Sequence, residues 1–434
     1  MTASREFVVV GARPLRGRVR IPGDKGISHR ALIAAALADG VSTITHLGPG
    51  DDVVRTRDAF VALGVDVKVE ADALTVTGRG IDAMKAPASD IDCGNSGTTM
   101  RMLAGLLVGR PFPSVLTGDA SLSQRPMQRV IAPLRALGAG IDGSGDPSRD
   151  GSVAPLSIRG ESLVGTRVEL EVASGQVKTA LVLAGLQASG TTEIVEPAAS
   201  RDHTERLFTA LGAPIERIDD RTTRVSVGTL RPFTIDVPGD PSSAAFFVVA
   251  ATVTPGSELL IEDVLLNPGR LAFVDVLRAM GADISVVSHG EHLGEPVGSI
   301  GVRAAGLHAT SFECSEPIID EVPALAVAAA FANGSTEITN AGELRVKESN
   351  RIATIEQELA KFGVVVDAAA DGLVVHGGHP HAATCTSHGD HRIAMATAVL
   401  ANALAGESRI QEWESVAVSY PEFAQDLDRL AAAK

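Results

Sequence analysis

Aromatic residues are scarce: 3% of the 434 residues, with one Trp, one Tyr and 12 Phe. A core without large rings has to be built from small and aliphatic side chains, and 45% of the chain is apolar, with 44 glycines. Cysteine is scarcer still. Cys93, Cys314 and Cys385 show no paired spacing and no C-x-x-C, which excludes a disulfide scaffold and suits a reducing compartment. Positive charge is in deficit, since 38 Lys and Arg against 53 Asp and Glu leave a net charge of −15. That argues against nucleic acid as a partner, whose usual footprint is a basic surface. Long apolar runs are missing too. Runs such as Ala324 to Ala332 fall short of the roughly 20 residues a membrane helix needs. The start, Met1-Thr2-Ala3-Ser4-Arg5-Glu6, lacks the basic-then-apolar order of a signal peptide. The expectation is a soluble, cytoplasmic chain of two or three domains, because single cores stop growing at roughly 250–300 residues.

What the chain does have is an internal repeat. An Ala-rich apolar segment, a closing glycine and a β-branched run recur six times, with the glycines at Gly40, Gly109, Gly190, Gly256, Gly334 and Gly406. Each copy reads as a buried helix, a glycine near its C-cap, then a strand. A second signature interleaves with it: Leu63-Gly64, Leu137-Gly138, Leu211-Gly212, Met280-Gly281 and Phe362-Gly363 each end an amphipathic helix and open another strand. The sixth copy falls on the helix-like C-terminus, so its missing strand is expected from Phe7 to Val10. The repeat predicts six units of strand, helix, strand, helix and extra strands, three per domain. The domains are expected at 1–21 plus 240–434 and at 22–239, with a double hinge at the Pro-Gly steps near 21–24 and 237–241.

Most of the cations that look chemical stand at the starts of the buried helices. They include Lys25 and Arg30 in GDKGISHR, Arg101 in GNSGTTMR, Lys178 in ASGQVK and Arg392 in GDHR. Taken singly, Ser, Thr, Asn and Asp at such places are ordinary N-caps, and the run from Gly342 to Arg351 reads as well as a solvated helix with i,i+4 pairs. Their recurrence at corresponding places in the repeats favours function. Helix N-termini offer unpaired N–H groups and a positive dipole end, so an acidic protein that gathers cations there is built for a small polyanion. The histidine-rich stretch His376, His379 and His381, followed by Cys385, His388 and His391, is interrupted by Gly and Pro and reads as a turn between strands, not a metal site. Gly143 to Gly151 lacks the G-K-[ST] of a phosphate loop and reads as an exposed loop.

Nine segments together resemble a known family, the 3-phosphoshikimate 1-carboxyvinyltransferases (EPSP synthases): PGDKGISHRAL, GNSGTTMR, SQRPM, ASGQVKTALVLAG, SRDHTERL, DPSSAAFF, IDEVPALAVAAAFA, ELRVKESNRI and DHRIAMA. The resemblance runs over nearly the whole chain. It implies an α/β fold, a two-domain inside-out α/β barrel of six βαβαββ-like units. It also implies transfer of the enolpyruvyl group of phosphoenolpyruvate to the 5-hydroxyl of shikimate 3-phosphate, on the way to chorismate and the aromatic amino acids. A monomer is expected, with no metal, no organic cofactor, and no nucleic-acid or membrane partner.

Motif by motif, the resemblance assigns catalysis to Asp320 as base, Glu348 as acid and Lys25 between the substrates. Shikimate 3-phosphate falls to Lys25, Gly26, Arg30, Ser174, Gly175, Gln176, Ser200, Arg201, Asp320 and Lys347. Phosphoenolpyruvate falls to Lys25, Asn95, Gly97, Arg125, Gln176, Arg351, His391 and Arg392. Arginine suits this work because its planar fork pairs with carboxylate and phosphate oxygens. The chain departs from the family pattern at Gly26 and Gly175, where many members carry Ser or Ser/Ala. It also departs at Ala417 to Pro421, which lacks a Lys found in some branches. Gly97 leaves room that Ala would fill, so glyphosate is expected to inhibit. The alternatives are the sister enzyme acting on UDP-N-acetylglucosamine, whose Lys-Asn pair and loop Cys are missing here, and a non-catalytic binder of phosphorylated metabolites. The acid and base candidates argue against the binder.

Overall fold

A computed structural model describes residues 6–70, 73–145, 152–315 and 317–433. Residues 1–5 at the start, and most of the loop read at 143–151, lie outside the described residues. The chain opens with β1 (Phe7–Val10) and β2 (Arg16–Arg20). Then come α1 (Lys25–Leu37), β3 (Asp39–Thr45), α2 (Asp51–Ala62), β4 (Asp66–Glu70) and β5 (Ala73–Arg79). The second repeat is β6 (Ile91–Asp92), α3 (Gly97–Leu107), β7 (Ser114–Thr117), α4 (Gln128–Ala136), β8 (Gly140–Ser144) and β9 (Val153–Arg159). The third is β10 (Arg167–Glu169), α5 (Gly175–Gly185), β11 (Thr191–Val195), α6 (His203–Ala210), β12 (Ile215–Arg217) and β13 (Thr222–Ser226). The fourth is β14 (Thr234–Asp236), α7 (Pro241–Val253), β15 (Glu258–Leu265), α8 (Ala272–Ala279), β16 (Asp283–His292) and β17 (Glu295–Arg303). The fifth is β18 (Ser311–Glu313), α9 (Val322–Ala330), β19 (Ser335–Thr339), α10 (Arg351–Lys361), β20 (Val365–Ala369) and β21 (Gly372–His376). The last is β22 (Thr384–Thr386), α11 (His391–Ala403), β23 (Glu407–Gln411) and α12 (Phe423–Ala432).

Six small sheets result. Three share one order, β6-β7-β9-β8, β10-β11-β13-β12 and β18-β19-β21-β20, with the first pair parallel and the rest antiparallel. Two others follow the same order with an exchanged edge. β2 precedes α1 in the chain yet pairs in parallel with β15, while β14 precedes α7 yet pairs in parallel with β3. The sixth sheet is β1-β23-β22, where β1 pairs antiparallel with β23. The chain divides into two compact units. Unit 1 takes the chain up to Pro22, then Pro238–Gly290 and everything from Pro296; unit 2 takes Gly23–Val237 and Glu291–Glu295. Each unit holds three of the sheets.

The architecture is inside out because of where apolar residues fall. α7 is apolar all round and every one of its residues is buried, as expected of a helix with no solvent face. The strands alternate: β9 reads buried, exposed, buried, exposed along Ala154 to Arg159, so the sheets face water on one side. The second helix of each repeat is amphipathic, with α12 burying Phe423, Leu427 and Leu430 along one stripe. Small residues set the helix spacing. A Cβ on Gly105 in α3 would lie 2.1 Å from the carbonyl oxygen of Ala180 in α5, so those helices touch backbone to backbone. Gly64, Gly138, Gly212, Gly281 and Gly363 all have φ between +82° and +97°, the left-handed turn that glycine adopts freely. Gly109, unlike its five counterparts in the other repeats, is not among the glycines with positive φ. Its Cβ would lie 2.5 Å from Gln187 Oε1, so what a side chain would meet there is Gln187, and no left-handed turn is involved.

The few rings are concentrated in unit 1. Phe246, Phe247, Trp413, Tyr420 and Phe423 form one cluster with centroids 5.1–6.2 Å apart, which seats α12 on α7. Tyr420 is buried and donates to Asp426 Oδ2 at 2.7 Å. Among the described residues no helix is long and apolar enough to cross a membrane.

Candidate active site

In unit 2 the helix starts are made by side chains that cap them. Asp24 Oδ1 accepts from Ile27 N at 2.7 Å, Ser96 Oγ from Thr99 N at 3.1 Å, and Ser174 Oγ from Val177 N at 3.4 Å. These caps place Lys25, Gly97 and Gly175 as the first residues of α1, α3 and α5. Side chains then tie the three starts together. Arg30 Nη1 donates to Gly26 O at 3.0 Å and Nη2 to Gly175 O at 3.3 Å, with Thr204 and Thr179 taking Nε and Nη2. Arg101 Nη1 donates to Gln176 Oε1 at 2.6 Å, and Gln176 Nε2 to Thr98 at 2.8 Å. Lys25 pairs with Asp52 in the first turn of α2. Arg125 Nη2 donates to Asn95 Oδ1, whose amide nitrogen donates to Asp119 at 2.7 Å.

A buried chain of hydroxyls backs this surface. His29 Nδ1 lies 2.7 Å from Thr56 Oγ1, Thr56 is 2.7 Å from Thr99 Oγ1, and Thr99 donates to Ser96 Oγ at 2.7 Å. Ser200 Oγ donates to Glu196 Oε1 at 2.5 Å. A Cβ at Gly26 would meet Asp24 Oδ1 at 3.2 Å and Arg30 Nη1 at 3.4 Å, so a serine there requires Asp24 or Arg30 to give slightly. At Gly175 a Cβ would meet Arg201 Cβ at 3.3 Å, and at Gly97 it would meet Arg101 Nη1 at 3.0 Å and Arg125 Nη1 at 3.6 Å.

In unit 1 the hub is Arg351, first residue of α10 and wholly shielded from solvent. Its Nε meets Asp390 Oδ2 at 2.8 Å, its Nη2 meets Glu348 Oε2 at 2.6 Å, and its Nη1 lies 3.8 Å from Asp320 Oδ1. Burial works against the Arg351 charge, but Glu348 and Asp390 outweigh it and hold its pKa above the ordinary value. Asp390 also caps α11, accepting from Arg392 N at 2.9 Å, and takes Ser349 Oγ at 3.0 Å. Arg392 Nη1 donates to Asp320 O at 2.9 Å. Lys347 lies 3.4 Å from Glu343 Oε1. The run from Gly342 to Arg351 is not one solvated helix: a 3-10 turn over Gly342–Val346 leads to α10, and Arg351 points inward.

The structure thus gathers Asp320, Glu348, Arg351, His391 and Arg392 in unit 1, with Lys347 beside Glu348 in sequence, and the remaining assigned residues in unit 2. Residues without an assigned role take part: Asp52 on Lys25, Arg101 on Gln176, Glu196 on Ser200, and Asp390 on Arg351. An acidic pair at the start of α2 is the usual complement of a helix dipole, so nothing local in the sequence joins Asp52 to Lys25. The histidine-rich stretch is dispersed over other partners, His376 on Ser335 and Asp367, and His388 on Glu358. Among the described residues one group, Asp202, His203 and Glu295, has the spacing of a metal site. However, Asp202 meets Arg206 and Arg217 at 2.9 and 2.7 Å, and His203 meets Glu295 at 2.7 Å, which is the donor set of an ion-pair cluster.

Burial pushes the His29 ring down to about 3 and the His391 ring down to about 4. Asp52 opposes that shift at His29, and Arg392 adds to it at His391. Both folded values lie below the unfolded one of about 6.5, so in the window between them the unfolded chain binds the proton more readily. The stability from keeping these rings neutral is full above pH 6.5 and is lost as pH falls toward the folded values. At pH 5 each ring is expected to cost about 2 kcal/mol. His29→Gln and His391→Gln should therefore flatten the fall of Tm between about pH 6.5 and 5. Equal slopes in wild type and both variants would show that other groups drive the acid lability.

The family model for EPSP synthase (3-phosphoshikimate 1-carboxyvinyltransferase) matches residues 9–427. The chain is 46% identical to the 3-phosphoshikimate 1-carboxyvinyltransferase of Synechococcus sp. strain WH7803, covering 99% of this chain and 98% of the relative. It is 48% identical to that of Synechococcus sp. strain JA-3-3Ab, covering 96% and 95%. Among solved structures it is similar to EPSP synthase from Acinetobacter baumannii, with a TM-score of 0.88, 38% identity and 98% of each chain covered. The enolpyruvyl transferase NikO from Streptomyces tendae, at 20% identity and a TM-score of 0.78 over 99% and 98% of the chains, shares the fold. A match over nearly the whole length, with relatives close to half identical, means that this chain belongs to the EPSP synthase family.

Proposed function

We propose that the chain transfers the enolpyruvyl group of phosphoenolpyruvate to the 5-hydroxyl of shikimate 3-phosphate and releases inorganic phosphate, a step toward chorismate and the aromatic amino acids. The observation that carries this reading is the carboxylate pair of unit 1: Asp320 and Glu348 both address the Arg351 guanidinium. Addition of a hydroxyl across a carbon–carbon double bond needs one group to take a proton and another to give one. Glu348 protonates the methylene carbon, the central carbon becomes cationic, and the 5-oxygen adds as Asp320 takes its proton. The tetrahedral intermediate then eliminates: Glu348 recovers a methyl proton, the C–O bond to phosphate breaks, and the departing phosphate takes the proton from Asp320.

The assigned binding residues hold and orient the substrates. Lys25 contacts both substrates. Gly26, Arg30, Ser174, Gly175, Gln176, Ser200, Arg201 and Lys347 address shikimate 3-phosphate. Asn95, Gly97, Arg125, Arg351, His391 and Arg392 address phosphoenolpyruvate, with Gln176 shared. Many of these groups are paired with protein partners, as in Lys25 with Asp52 and Arg125 with Asn95, so substrate binding exchanges one polar contact for another. The Pro-Gly crossings near 21–24 and 237–241 are read as a double hinge. The three buried free thiols suit a cytoplasmic location, and the chain is read as a monomer. The test is phosphate release from phosphoenolpyruvate with shikimate 3-phosphate and, in parallel, with UDP-N-acetylglucosamine. Release with shikimate 3-phosphate alone supports the proposal; release only with the nucleotide sugar moves it to the sister activity.

Glyphosate should inhibit competitively with phosphoenolpyruvate. Gly97→Ala places a methyl 3.0 Å from Arg101 Nη1, and one extra carbon in a tight pocket is worth roughly 10–200-fold. The inhibition constant for glyphosate should rise by that order, and more than the KM for phosphoenolpyruvate. Unchanged inhibition in Gly97→Ala would place glyphosate elsewhere.

A further inference from the structure

Lys178 stands in the first turn of α5, two residues after Gln176, with its side chain only 4% exposed. Its Nζ lies 2.8 Å from Glu196 Oε2, just past β11, and 2.8 Å from Glu205 Oε1 in the first turn of α6. Burial works against the Lys178 charge, but Glu205 and Glu196 outweigh it and hold its pKa above the ordinary value. Three charges buried together are a weak device for stability alone, because desolvation offsets most of their attraction. What they do hold is the loop that carries Ser200. Lys178 Nζ reaches Ser200 O at 3.5 Å, and Ser200 Oγ donates to the second oxygen of Glu196 at 2.5 Å.

A hydroxyl has one proton to donate, and the deprotonated oxygens of a phosphate can only accept. Ser200 therefore serves Glu196 or a phosphate oxygen, but not both. We propose that Glu196, Lys178 and Ser200 form a hand-over device for the phosphate group of the phosphorylated co-substrate. Glu196 holds the hydroxyl proton until a phosphate takes it, and Lys178 keeps the Glu196 carboxylate satisfied throughout. No covalent bond changes; the hydroxyl turns. This rests on the reading that Ser200 meets the phosphate of shikimate 3-phosphate. Glu196 and Lys178 are then positioning residues of opposite sign. Glu196 competes with the ligand for the Ser200 proton, and Lys178 weakens that competition by drawing on the same carboxylate.

The test is calorimetric binding of shikimate 3-phosphate, inorganic phosphate and shikimate to the full-length protein. Glu196→Gln replaces a charged acceptor by a neutral one, so phosphate-bearing ligands should bind about 3- to 10-fold tighter. Lys178→Met should weaken them about 10-fold, and neither change should move shikimate. In a Ser200→Ala background, Glu196→Gln should have no effect, since the cycle removes the shared proton. A purely structural role would weaken binding in both single variants. If Lys178→Met does not fold, Glu196→Gln, which keeps the Lys178–Glu205 pair, and the Ser200→Ala cycle decide the matter. Weaker or unchanged binding of shikimate 3-phosphate to Glu196→Gln, or an equal gain for shikimate, overturns the hand-over. Wild-type protein that neither binds nor turns over shikimate 3-phosphate overturns the functional reading itself.

Discussion

Glu348→Gln and Asp320→Asn are each expected to lower kcat about 10²- to 10⁴-fold, the usual worth of a positioned acid or base, with much smaller changes in KM. Both replacements keep a side-chain oxygen. The amide at 348 can still accept from Arg351 Nη2, which now meets the carboxylate at 2.6 Å, and the backbone carbonyl of residue 320 can still accept from Arg392. Geometry is preserved while proton transfer is removed, so the loss should appear in turnover and not in binding. Asp320 and Glu348 keep 20% and 30% side-chain exposure, which leaves both within reach of a ligand although the arginine that joins them has none. Single-turnover phosphate release checks the prediction, with Trp413 fluorescence verifying the fold. Near-normal turnover in either variant would remove that carboxylate from the mechanism.

The second large effect is on stability. Arg351→Met should destabilise unit 1 by about 3–5 kcal/mol, the cost of leaving buried charge unpaired. Asp390 is as buried as the arginine it holds, and with the guanidinium gone its carboxylate keeps the Ser349 hydroxyl and an N–H of the α11 backbone. The double variant Arg351→Met/Asp390→Asn should regain part of the loss, because the orphaned charge goes with its partner. Trp413 is the sole tryptophan and sits in the unit 1 cluster, 4.4 Å from Phe7 and 6.1 Å from Phe423. Its emission therefore reports unit 1 in a urea titration. Equal urea midpoints for wild type and Arg351→Met would mean that the buried arginine network adds nothing to stability.

Much of the fold was legible because its signals are local. A glycine after Leu, Met or Phe at the end of an amphipathic helix answers a backbone need within a few residues, and all five such glycines have positive φ. The capping side chains Asp24, Ser96, Ser174 and Asp390 likewise act on N–H groups two or three residues ahead. Gly109 shows the limit: it repeats the pattern without the positive φ, and the neighbour that a Cβ there would meet is Gln187, far away in sequence. The exchange of β2 and β14 between repeats was equally hidden, since a strand's own residues do not name its neighbour.

The sequence by itself determined the repeat, the helix starts and the kinds of charge gathered there, because periodicity, capping and turn chemistry are settled within a few residues of chain. Only the tertiary structure decided which charge meets which. Lys25 found Asp52, Arg30 found Gly175 and Thr204, Lys178 found Glu196 and Glu205, and Arg351 found Asp390. Such pairings arise when separate helices pack side by side, and burial then makes each unmatched charge too costly to leave alone.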